Sequence, residues 1–149
     1  MARSTRLALP LLICTLLLAS CVDQTTRKIQ TSHIEGNAPK AADFELMLQR
    51  DLTSYFETIH GEEVAVQYEF LRQGPTQSGV SYPKYYLWAK VTRAGSVIDE
   101  GAIRCAAVET THFEVTDFIT KTSLQKDLTQ AASVFPAGVC ERISEKIKH

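Results

Sequence analysis

The chain has 149 residues, with 16 Lys+Arg against 17 Asp+Glu and a net charge of −1. It has no basic surplus and no lysine run, which speaks against a nucleic-acid footprint or a polybasic membrane patch. The length suits one domain with a real core.

The first 21 residues organise the reading of everything after them. Arg3 and Arg6 stand without an acid, and an apolar run from Leu7 to Leu18 follows. That run is too short for a membrane span, which needs about 20 apolar residues, and it suits a cleaved leader. Leu18, Ala19 and Ser20 then lead into Cys21. This stretch resembles the lipobox of a bacterial lipoprotein signal peptide. The resemblance implies cleavage before Cys21 and acylation of its sulfur with chains such as palmitate. A thiolate is the nucleophile such a transfer needs, and two or more acyl chains hold a protein stably on a membrane. Val22, not aspartate, follows the cysteine. In a Gram-negative cell the resemblance then implies the outer membrane, on its periplasmic face.

Removing 20 of the 149 residues leaves 129. Arg3 and Arg6 leave too, so 14 basic residues face 17 acidic ones, a net charge of −3. Residues 21–38 are polar, without a sustained apolar period, and read as a lipidated flexible tether. Residues 39–149 read as a single α+β domain.

Pro39 suits the first turn of a helix, with Asn37 as a candidate cap. Phe44, Met47, Leu48, Leu52, Tyr55, Phe56 and Ile59 recur at spacings of three and four. They predict an amphipathic helix from Lys40 to His60, stopped by Gly61. From Val64 the period becomes two, with Val64, Val66, Tyr68 and Phe70 on one face. A Gly/Pro loop at 73–79 separates this strand from a second, Tyr82 to Thr92. There Tyr85, Leu87, Ala89 and Val91 share one face, and Tyr86, Trp88 and Lys90 the other. Ala94-Gly95 turns the chain into a third strand, Val97 to Val108, in which Gly101 marks a bulge or a close approach. Phe113, Val115, Phe118 and Ile119 suggest a fourth. Thr122 with Gln125 resembles a capping box, and Pro136 divides the helical C-terminus into two pieces. The expected architecture is an N-terminal helix, an antiparallel meander of three to four strands covered on one face, and a C-terminal helix.

Of four cysteines, Cys14 goes with the leader and Cys21 is acylated. Cys105 and Cys140 remain, and two thiols in an exported domain read as one disulfide stapling the last helix to the sheet. Closing such a loop is worth ~3–4 kcal/mol as a chain-entropy effect.

Catalytic signatures do not emerge. His33, His60, His112 and His149 lack metal-ligand spacing. There is no nucleophile elbow, no Ser-x-x-Lys and no phosphate loop. The expectation is a non-enzymatic protein without cofactor or metal. Tyr86, Trp88 and Arg104 form the candidate partner-binding surface, on the face opposite Tyr85 and Leu87. Alternatively, those aromatics are core beneath a second helical piece. The favoured function is a lipid-anchored binding or scaffolding module for a protein partner in the envelope. The alternatives are a small-ligand-binding lipoprotein, and an envelope hydrolase whose acids meet only in space.

Overall fold

In the computed structural model, residues 27, 28 and 31–149 are described. The leader, Cys14 and Cys21 lie outside them. A compact unit, residues 34–149, contains every element named below. Residues 34–38, which the sequence assigns to the tether, belong to this unit. Residues 34–37 are helical, Ala38 N–H donates to Ile34 O at 2.8 Å, and Thr110 N–H donates to Asn37 O at 2.8 Å. Asn37 therefore docks on a strand turn instead of capping the next helix.

Helix α1 spans Ala41–His60 and buries Leu48, Leu52 and Phe56. Its stop is Gly61, at φ 85°, whose N–H bonds Glu57 O. A positive φ costs glycine nothing, so the helix ends where the sequence predicts. Strands β1 (Ala65–Phe70), β2 (Lys84–Arg93), β3 (Ser96–Val108) and β4 (His112–Thr120) follow. They form one antiparallel sheet in the order β1-β2-β3-β4. Three short helices close the chain: α2 (Lys121–Lys126), α3 (Thr129–Val134) and α4 (Ala137–Lys146). The cap of α2 is Thr120, whose hydroxyl accepts from Ser123 N–H at 3.2 Å. The cap thus falls two residues before the Thr122 expected from sequence.

The sheet is covered on both faces, not one. On the first face α1 packs over Val66, Leu87, Ala89, Val91, Ile103, Cys105 and Phe113. On the second, Leu124, Ala131, Phe135, Val139 and Ile143 of the C-terminal helices cover Tyr86, Trp88 and Ala102. The cause is the pleat: consecutive side chains point to opposite faces. Because β2 is apolar at both parities from Tyr85 to Ala89, it needs cover above and below.

This layering gives the expected disulfide no support. Cys105 and Cys140 are free thiols. Cys105 belongs to the cluster under α1, whereas Cys140 packs on the cluster of the other face. The sheet itself lies between them, and a disulfide requires Cα atoms within about 7 Å. The last helix is held by the packing of Val139 and Ile143 and by the ion pair of Lys146 with Glu69.

Gly101 is a site of close approach. A methyl group there would stand 2.3 Å from Ile119 O and 2.8 Å from Phe118. The register shifts fall elsewhere, at Val91/Thr92 and Arg104/Cys105.

Candidate functional site: an open strand edge beside a charged cleft

The structure keeps Tyr86, Trp88 and Arg104 on one face but does not expose them as a platform. Tyr86 and Arg104 are cross-strand partners, a placement the sequence face assignment anticipates. Both aromatics are only 4% exposed. Tyr86 packs edge-on against Phe135 with ring centroids 6.1 Å apart, and its hydroxyl meets that of Thr76. Arg104 is occupied by Asp117, with Nε 2.7 Å from Oδ2, and by Val134 O at 3.0 Å. These residues tie the C-terminal helices to the sheet, so the expectation of a docking surface on them is corrected.

The helical cover stops short of one corner. Lys90 is the only exposed position in β2. Around it lies a cleft of about 450 Å³ lined by Gln67, Glu69, Trp88, Lys90, Glu100 and Lys121, and further by Tyr68, Lys146 and His149. Five elements of the fold, β1, β2, β3, α2 and α4, contribute. At its floor Trp88 Nε1–H donates to Glu100 Oε1 at 2.9 Å. Lys121 Nζ reaches the other carboxylate oxygen of Glu100 at 3.2 Å. Lys146 pairs with Glu69. Burial alone would raise the Glu100 carboxyl, but the hydrogen bonds from Trp88 and Lys121 and the charges of Lys121 and Lys90 hold it below its ordinary value. An acid so held stays ionised near neutral pH and is a poor proton donor. The remaining charge is an excess of cations: three lysines face two glutamates, and both glutamates already have a lysine.

The same corner holds the open margin of the sheet. Leu71 N–H donates to Tyr86 O at 2.9 Å, which sets the alternation along β1. Ala65, Gln67 and Glu69 therefore turn their peptide groups toward β2, while Val66, Tyr68 and Phe70 turn theirs outward. Val66 O is taken by Gln49 Nε2 at 3.0 Å. Tyr68 and Phe70 have no such cap among the described residues. Four of the six β1 residues are exposed, including Phe70 at 38%. The opposite margin is shadowed by α1, which packs on β4 through Phe113, Val115 and Phe118. There Asp51 accepts from Phe113 N–H.

Sequence spacing does not reveal this cleft, because its residues are scattered from Gln67 to His149. One signal is present in the sequence: Lys90 interrupts the apolar second face of β2. Among the described residues, no group of three or more His, Cys, Asp or Glu is placed to hold a metal, and no helix is long and apolar enough to cross a membrane. No protein-family model, curated protein or solved structure matches this chain.

Proposed function

We propose that this chain is a lipid-anchored envelope protein that binds a protein partner by adding one of the partner's strands to β1. The anchor rests on the lipobox resemblance ending at Cys21. The binding mode rests on one observation: the outward peptide groups of Tyr68 and Phe70 stand uncapped by any described residue on an exposed strand. Unpaired edges of this kind are templates for another chain. The small-ligand alternative keeps one support, since the cleft volume falls within the usual range of ligand pockets.

The test has two arms. Mass spectrometry of native material reads the N-terminus, and a diacylglyceryl group on Cys21 is expected; an unmodified or uncut terminus sinks the anchor. A photo-crosslinking residue at Phe70 in the full chain, within its own envelope, is expected to give a discrete adduct. The same probe at exposed Gln130 on α3 should not. The adduct should disappear with Tyr68→Pro, because proline removes an outward N–H and leaves the β1–β2 ladder intact. An adduct indifferent to that change rejects strand addition.

A further inference from the structure

The charged cleft lies beside the open margin, and this juxtaposition specifies the chemistry of the incoming strand. The inference rests on the edge reading above. Three consecutive β1 residues, Gln67, Tyr68 and Glu69, line the cleft, so a strand paired with β1 runs along its mouth. Register then fixes the neighbours. Gln67 stands opposite Lys90, and Lys90 opposite Glu100. An added strand extends this row by one position, beside Gln67. Strands are spaced ~4.8 Å apart, so that position lies about 10 Å from the Lys90 backbone. Two long side chains reaching toward each other span that gap over the short amide of Gln67.

Charge decides which side chain fits. Glu100 is satisfied by Lys121 and Trp88, and Glu69 by Lys146. Lys90 has no ion-pair partner among the described residues, and its ammonium is the surplus charge of the cleft. The other face of the margin asks for the opposite character. There Phe44, Tyr68 and Phe70 form a half-exposed aromatic group, with Phe44–Phe70 centroids 6.4 Å apart and Tyr68–Phe70 centroids 5.9 Å apart. Since a strand alternates its faces, the residues flanking the acidic one meet these rings. We propose that the occupant is an extended protein segment alternating apolar and acidic side chains, with a carboxylate beside Gln67 that pairs with Lys90.

The experiment uses the full chain purified from membranes in detergent. The probes are two fluorescein-labelled octapeptides, one of alternating valine and glutamate, the other of alternating valine and lysine. Anisotropy measures affinity, and emission from Trp88, the single tryptophan of the chain, reports occupancy of the cleft. The glutamate peptide is expected to bind about tenfold more tightly than the lysine peptide, a difference of ~1.4 kcal/mol. Lys90→Glu should reverse the preference and Lys90→Gln should erase it. Equal binding of the two peptides, no binding of either, or a preference unmoved by both Lys90 variants overturns the proposal. Tyr68→Pro separates this from failure of the edge reading. If both peptides bind alike and both are lost in Tyr68→Pro, the edge stands and the acidic preference falls. Binding that survives Tyr68→Pro removes the edge as well.

Discussion

Asp51 Oδ2 accepts a 2.7 Å hydrogen bond from the backbone N–H of Phe113, joining the middle of α1 to the outer margin of β4. Arg50 steadies the carboxylate from the next position, with Nε 2.7 Å from Oδ1. The same guanidinium donates to Thr111 O at 3.2 Å.

Asp51→Ala leaves the Phe113 N–H without its acceptor. The expected loss is about 1–3 kcal/mol of unfolding free energy, read from urea titration of Trp88 emission. Asp51→Asn keeps an acceptor oxygen and should recover most of it. Equal losses in both variants would assign the effect to the charge and not to the capped N–H.

The two thiols should behave as independent groups. Cys105 is fully buried and Cys140 is partly exposed. In a variant with Cys14 and Cys21 changed to alanine, Ellman's reagent should titrate two thiols after denaturation without reductant. In the native state Cys140 should react first and Cys105 only on unfolding. A reading of zero thiols in denaturant would restore the staple and contradict the layering.

Gly101→Ala drives a methyl group against Ile119 O and the Phe118 ring. One of these neighbours is backbone and cannot swing away. A destabilisation of about 1–3 kcal/mol is expected, of the size seen for overpacked cores. Unchanged stability would mean that β3 and β4 separate readily at this point.

Stability should fall on the alkaline side. Burial, opposed in part by the charge of Lys84, pushes the Cys105 thiol from its ordinary 9.0 up to about 12. Burial, with the nearby Cys105, pushes the Tyr85 phenol from 10.0 up to about 12. Above these ordinary values the unfolded chain releases protons that the folded chain retains. The unfolded state then binds fewer protons, so unfolding free energy decreases as pH rises. The slope approaches ~1.4 kcal/mol per pH unit for each group, between about pH 9 and 12. Cys105→Ala should flatten the early part of that decline, as measured by denaturant titration across the range.

Much of the fold was legible because its signals are local. The spacing of Leu48, Leu52 and Phe56 announces α1, and the switch to period two at Val64 announces the meander. Gly61 and Pro136 mark the breaks where the structure has them. The second helical layer was legible only as an open choice. Tyr86 and Trp88 alternate with Tyr85 and Leu87, and a sequence does not say whether the second parity is wet or covered. The disulfide expectation finds no support for the same reason, since counting thiols ignores which face each occupies. The cleft was the least legible part. Glu69, Lys90, Glu100, Lys121 and Lys146 meet only after β1, β2 and β3 are in register and α2 and α4 have folded back over them.

Helices on both sides of the sheet also bear on how this protein fails. Laminated aggregates grow by pressing bare sheet planes together, and here neither plane is bare. Native molecules that clump are therefore expected to join in pairs through the β1 rim, since the β4 rim lies under α1, and dense fibrous stacking first requires α1 or the C-terminal helices to peel away.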